Sequence, residues 1–139
     1  VFRLGLRSEA NLGVVIVESY GRDFVSALQT RMAEIQLNRF ELIWVYLPLN
    51  DPLTAYFGSG LQEIGLSFAG IYPEYGDGDA LLLQSLNNVE VDLSETAIVS
   101  EFGRYLADAV VADWRKAEQI IAQRSRSRAA MAWIYEAMA

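Results

Sequence analysis

Any chemistry this chain performs has to come from few residue types. Its 139 residues include no His and no Cys. That excludes Ser-His-Asp and Cys-His nucleophile pairs, His-bound metals, disulfides and thiolate clusters, so no metal site is expected. What remains is Asp, Glu, Tyr, Ser, Arg, one lysine (Lys116) and the backbone amides. Three groupings have a spacing that bears on function. Tyr56, Tyr72 and Tyr75 are proton donors or ring surfaces for a ligand, although aromatics at strand and loop edges more often pack. Glu74, Asp77 and Asp79 have the chemistry of a general base, and Asp77-Gly78-Asp79 superficially suggests a calcium loop. Counting from Asp77, the twelfth position is Asn88 where a calcium loop needs Glu, so a tight acidic hairpin turn is the better reading. Gly21-Arg22-Asp23 stands at a strand-to-helix corner, where helix amides bind anions and Arg22 adds positive charge. Asp23 would compete with such an anion, which favours reading it as a helix cap. Neither Gly-x-x-x-x-Gly-Lys nor Gly-x-Gly-x-x-Gly occurs.

The elements that must position these residues belong to one domain by length. At 53% hydrophobic and 21% charged, the chain has the composition of a folded domain rather than a disordered one. The net charge of −7 argues against a nucleic-acid partner. The charge is uneven. Residues 1–113 carry six basic and sixteen acidic residues, net −10, whereas residues 114–139 carry five and two, net +3. The basic cluster is Arg115, Lys116, Arg124, Arg126 and Arg128. It reads as a solvated helix face, or as a contact to an acidic partner. No run of 18 apolar residues occurs, so no membrane span is expected. The first residues do not have the pattern of a secretory signal, and the absence of Cys fits a cytoplasmic location. The chain starts at Val1 rather than Met, which suggests a piece of a longer protein.

Phe2, Leu4 and Leu6 alternate with polar residues or glycine, and Val14 to Val17 is a β-branched run, so these segments predict a hairpin with a polar turn from Ser8 to Gly13. Phe24, Leu28, Met32 and Ile35 recur at helical spacing, and Leu42 to Leu47 is a second strand apolar on both faces. Strand, helix and strand predict a right-handed parallel crossover. Asp51-Pro52 starts a second helix, with Asp51 as its cap. Gly58 and Gly60 weaken that helix, Ser59 to Gln62 has capping-box spacing for a restart, and Gly65 ends it. Leu66–Tyr72 and Ala80–Leu86 predict an antiparallel hairpin across Pro73–Asp79. Ser94 to Gln123 predicts a long helix with the stripe Ile98, Phe102, Leu106, Val110, Trp114, Ala117 and Ile121 on the domain. The run Arg124 to Arg128 predicts a break, followed by a short amphipathic helix with Met131, Ile134, Tyr135 and Met138.

This order resembles the C-terminal half of the GNAT acyltransferase fold. The most specific stretch, Leu61 to Pro73, looks like the GNAT signature in which a helix ends in Leu-Gly-Phe before the penultimate strand. A closer similarity is to the GNAT-like C-terminal domain of bacterial histidine-kinase-like ATPases of the anti-sigma-factor serine/threonine kinase type. The matching stretches are Leu47-Pro48-Leu49-Asn50-Asp51-Pro52, Ile64 to Ile71, Gly78 to Leu86, and Ser100-Glu101-Phe102-Gly103. The resemblance covers roughly residues 10–112 and implies an α/β (α+β) mixed sheet in the order β-β-α-β-α-β-β-α, followed by a short C-terminal helix. GNAT enzymes hold the cofactor pyrophosphate on Gln/Arg-x-x-Gly-x-Gly/Ala, and many carry a thiolate-protonating Tyr four residues before the Gly of Leu-Gly-Phe. Here the corner Glu18 to Phe24 keeps one glycine and adds two carboxylates, and the tyrosine position is Leu61.

These departures lead to the expectation of a GNAT-like regulatory or ligand-sensing domain from a bacterial signalling protein, without acyl transfer and with no assigned cofactor. Its ligand is expected where the parallel strands splay, near Val15, Ile16, Val17, Ser19, Tyr20, Gly21, Arg22, Tyr46 and Asn50. The alternative is an acyl-CoA-dependent N-acyltransferase with a degenerate pyrophosphate loop, binding acetyl-CoA along the backbone of Val15 to Val17 and using Tyr56 as its acid. The expected organisation is a domain over 1–123, then a basic hinge and tail helix over 124–139. The tail's apolar residues have no core left to enter, so it is expected to dock on a second copy as a homodimer or on a neighbouring domain.

Overall fold

The apolar runs become the inner strands of a mixed sheet, as their two-faced hydrophobicity requires. A computed structural model describes residues 1–7, 11–86 and 92–138. Residues 8–10 of the expected turn Ser8–Gly13 therefore fall outside the described residues, while Leu12 and Gly13 belong to β2 rather than to the turn. Five strands, β1 (Phe2–Arg7), β2 (Leu12–Val17), β3 (Leu42–Pro48), β4 (Ser67–Tyr75) and β5 (Gly78–Leu86), lie in the order β1-β2-β3-β5-β4. β1 and β2 are antiparallel, β2 and β3 parallel, and β5 antiparallel to both β3 and β4. The helices are α1 (Phe24–Leu37), the six-residue α2 (Leu53–Gly58) and α3 (Glu101–Met138), with a 3₁₀ turn at Leu61–Ile64. The mixed α/β order β-β-α-β-α-β-β-α is the expected one.

The core lies between α1 and the sheet. Phe24, Leu28, Met32 and Ile35 face Val15, Val17, Ile43, Val45 and Leu47, all buried. Helix and sheet approach closely at Gly13, where a Cβ would overlap Ile35 Cγ2. Only glycine allows that approach without repacking.

The connection from β3 to β4 differs in part from the expectation. Asp51 Oδ1 does accept from Leu53 N at 2.9 Å and so starts α2. The helix then stops at Gly58, and the chain restarts as 3₁₀ with no side-chain cap bond at its start, so the capping box does not form. Two glycines and only four residues of 3₁₀ leave no length for a cooperative helix. Gly65 ends the turn in the left-handed region at φ +89°, where glycine is favoured. β4 extends through Pro73 to Tyr75, farther than the predicted Tyr72, which narrows the hairpin turn to Gly76 and Asp77.

The largest differences are in α3. Ser94 to Ser100 is not helical, and the helix runs without a break from Glu101 to Met138, through the basic stretch expected to interrupt it. Arg is a strong helix former and Ser a tolerated one, so the break in apolar pattern is not a break in backbone. The expected stripe buries only in part, at Trp114 and Ala117. Phe102 is 69% exposed and Leu106 is also exposed. α3 is fixed mainly at Asp113, whose carboxylate accepts from Gln62 Nε2 and from Phe68 N at 2.6 Å. Phe68 adjoins a register shift in β4, so the α3 carboxylate takes up an amide where the strand ladder is irregular. Arg124 adds bonds to the carbonyl of Glu63 at 2.5 Å and to its carboxylate at 3.1 Å. Among the described residues, no helix is long and apolar enough to cross a membrane.

Candidate functional site

β2 and β3 are hydrogen-bonded neighbours running the same way, so their C-terminal ends and the segments that follow open on one edge of the sheet. Ligands of open α/β sheets bind at such strand ends. A cleft of about 370 Å³ lies here. Its walls are Ile16, Val17 and Glu18 from β2 and its exit, Tyr46 to Pro48 and Asn50 from β3 and its exit, and Tyr75 to Ala80 from the β4–β5 hairpin. The hairpin is drawn in by Leu49 N, which donates to the carbonyl of Asp79 at 2.9 Å. Asn50 packs against Gly78, with its Cβ 3.5 Å from where a Cβ on that glycine would stand.

Two properties set the cleft's chemistry. The first is an aromatic wall. Tyr46 stacks on Tyr75 with ring centroids 4.9 Å apart and planes 11° apart, and Tyr72 meets both rings edge-on. The second is charge. Glu18, Asp77 and Asp79 line the cleft, and among the described residues no Lys or Arg does. Asp79 also holds the hairpin turn, because its Oδ1 accepts from Glu74 N at 2.9 Å where Glu74 has φ +53°.

The expected site residues therefore separate into groups. Ile16, Val17, Tyr46 and Asn50 line the cleft. Val15 belongs to the core instead, fully buried beneath α1. Ser19, Gly21 and Arg22 are exposed at the strand-to-helix corner and are not among the residues lining the cleft. Tyr20 turns toward α1 and α2. Its ring lies 4.7 Å from Phe24 and 5.2 Å from Phe57, and its hydroxyl is 2.6 Å from Thr54 Oγ1. Thr54 donates its one proton to the carbonyl of Pro48 at 2.5 Å, so Tyr20 is the donor in that pair. Burial raises the Tyr20 pKa above the ordinary phenol value, and the Thr54 bond opposes that only in part. Tyr56 is 75% exposed with its ring against Phe57, outside the cleft-lining set. The carboxylates and Tyr75 emerge as cleft walls only through the pairing of β3 with β5, which spacing along the chain does not display.

The corner also departs from the expected cap. Asp23 occupies the N-cap position of α1 but makes no side-chain cap bond. Its Oδ1 lies 3.1 Å from where a Cβ on Gly21 would be, so the carboxylate sits over the corner. Leu61, where many GNAT enzymes carry tyrosine, is wholly buried in the core.

No protein-family profile matches the sequence, and no curated protein matches it. Among solved structures the chain is similar to Ard1 from Thermoplasma volcanium, at 7% identity and a TM-score of 0.47, over 64% of this chain and 62% of that one. It is also similar to a chain of the NatC complex bound to Gag peptide and CoA, at 14% identity and a TM-score of 0.41, over 61% and 57%. The alignments span about three-fifths of the length of these two chains.

Proposed function

We propose that this is a GNAT-like binding domain whose strand-end cleft takes a small ligand bearing a cationic or amine group, without acyl transfer. The observation that carries the reading is the cleft's lining, with the stacked Tyr46 and Tyr75 beside Glu18, Asp77 and Asp79 and, among the described residues, no basic side chain. Rings and carboxylates together favour a cation and disfavour a pyrophosphate. The corner supports the same reading. Asp23 lies over Gly21, where a phosphate would need open backbone amides. Leu61, buried and without a proton to give, supports the lack of acyl transfer. The resemblance of four short motifs to those of anti-sigma-factor-type ATPase proteins supports a role as a regulatory module of a bacterial signalling protein, working in the cytoplasm.

A second reading has one observation in its favour. Ile16 and Val17, part of the strand whose backbone an acyl-CoA would follow, stand in the cleft wall. On that reading the protein is an N-acyltransferase with a degenerate pyrophosphate loop, and the acidic aromatic wall receives the acceptor amine. Isothermal titration separates the two. The binding-domain reading expects heat from primary and quaternary amines, lost in Asp77→Asn, and none from acetyl-CoA. Acetyl-CoA binding at roughly tens of micromolar or tighter would overturn it in favour of the acyltransferase.

A further inference from the structure

The end of the sheet opposite the cleft carries a second cavity, of opposite charge. Leu86, the last residue of β5, pairs with Leu42, the first of β3, whereas the cleft lies at the other end of β3, around Pro48. A trough of about 660 Å³ opens beside Leu86, between α3, the 3₁₀ turn and the end of α1. Its apolar lining includes Ile64, Leu86, Trp114, Ala117 and Ile121. Trp114, Ala117 and Ile121 recur at i, i+3 and i+7, so one side of α3 faces the trough. Among the described residues its charged groups are Arg115, Arg126 and Glu118, two guanidiniums against one carboxylate. Trp114 supplies a second and independent observation. It is 9% exposed, and its Nε1–H is buried with no hydrogen-bond partner among the described residues. Folded proteins seldom leave such a donor unpaired, because its lost hydration is not replaced. Several other polar side chains line the trough, and none of them bonds the indole. Arg115, the next residue, has no carboxylate partner among the described residues, whereas Arg124 is taken by Glu63.

We propose that this trough binds an aliphatic carboxylate. The chain of the ligand lies against Ile64, Leu86 and Ile121, and its carboxylate accepts from Trp114 Nε1 and pairs with Arg115. A small-molecule site is largely apolar with a few polar groups that fix orientation, and the volume lies within the range of about 300–1,000 Å³ for such sites. The sign of the ligand's charge follows from its surroundings, since residues 114–139 are net +3. Glu118 in the same lining opposes a dense anion, so one negative charge on an apolar body fits better than a phosphate. The site is separate from the cleft and does not rest on the cleft's taking an amine.

Nuclear magnetic resonance of the ¹⁵N-labelled full chain, titrated with octanoate, tests this. The chain has three tryptophans, Trp44, Trp114 and Trp133, and so three indole N–H signals. Trp44→Phe and Trp133→Phe identify two of them, which assigns Trp114 in chains that keep it. The expected result is a downfield shift of the Trp114 indole proton, saturating with a Kd between about 10 μM and about 1 mM, while the other two signals stay in place. 1-Octanol and octylammonium, with the same chain but no negative charge, should bind at least about tenfold more weakly. Arg115→Gln, at an exposed position, should weaken octanoate about tenfold without changing the melting temperature. Ala122→Phe, at an exposed position in the lining, should fill the trough and abolish binding with the circular dichroism unchanged. Asp77→Asn should leave octanoate binding as it is, so this proposal and the amine reading of the cleft fail separately. A Trp114 signal that does not move by about 5 mM octanoate overturns the proposal. Octanol binding as tightly as octanoate, or octanoate binding that survives Ala122→Phe, also overturns it.

Discussion

α1 and α3 are both amphipathic by sequence, and the sheet treats them differently. α1 has 14 residues and buries four of them, Phe24, Leu28, Met32 and Ile35, in the main core. α3 has 38 residues and buries two, Trp114 and Ala117. The short helix is held along its length by apolar contact with β2 and β3. The long one is held near its middle, by two apolar residues, the Asp113 carboxylate and the Arg124–Glu63 contact. A helix's contribution to a fold therefore follows the area it covers rather than the number of turns it makes. The parts of α3 on either side of that attachment are free to do something other than stabilise this domain.

Leu28→Ala removes a fully buried side chain from the centre of α1's face and should cost about 2–5 kcal/mol in denaturant unfolding. A loss below about 0.5 kcal/mol would mean that α1 is no better anchored than α3. Asp113→Ala should cost about 1.5–3 kcal/mol, in the range of hydrogen bonds to a charged group. Its specific sign is faster hydrogen exchange at Phe68, whose amide the carboxylate holds, with the amides of α1 unchanged. Equal loss of protection in both helices would show that α3 and the core unfold as one unit.

The sequence is informative where a segment's burial follows from its own pattern. β2 and β3 are apolar on both faces, which leaves little choice but the middle of a sheet, and the spacing of Phe24 to Ile35 gives α1 and its buried face directly. Gly65 likewise marks its left-handed cap. α3 was harder to read because a stripe at helical spacing looks the same whether or not a surface lies opposite it. Phe102 and Leu106 have the pattern of core residues and no core to enter. Asp113 carried a signal of its own, as a carboxylate four residues before the buried Ala117 and hence on the same side of the helix. The candidate site divides in the same manner. Ile16, Val17, Tyr46 and Asn50 follow from two parallel strands ending side by side. Tyr75, Asp77 and Asp79 join them because β5 pairs with β3, and nothing local in the sequence encodes that pairing. Tyr20 leaves the cleft for the same kind of reason, since Thr54 and Phe57 of α2 offer it a bond and a stacked ring.

Phe102 lies in the first turn of α3, eleven residues before Asp113, and its ring touches that of Tyr105 at a centroid distance of 6.5 Å. An aromatic on a helical stripe would ordinarily be expected to cost about 3–5 kcal/mol on truncation, the value for a buried Phe. With most of its surface in water it has little transfer energy to lose, and Ser and Phe have similar helix propensities. Phe102→Ser should therefore change stability by no more than about 0.5 kcal/mol in denaturant unfolding at low micromolar concentration, where association does not contribute. A loss above about 2 kcal/mol would place the first half of α3 against apolar surface. The contrast between a fully packed α1 and a locally pinned α3 would then fail at its N-terminal end.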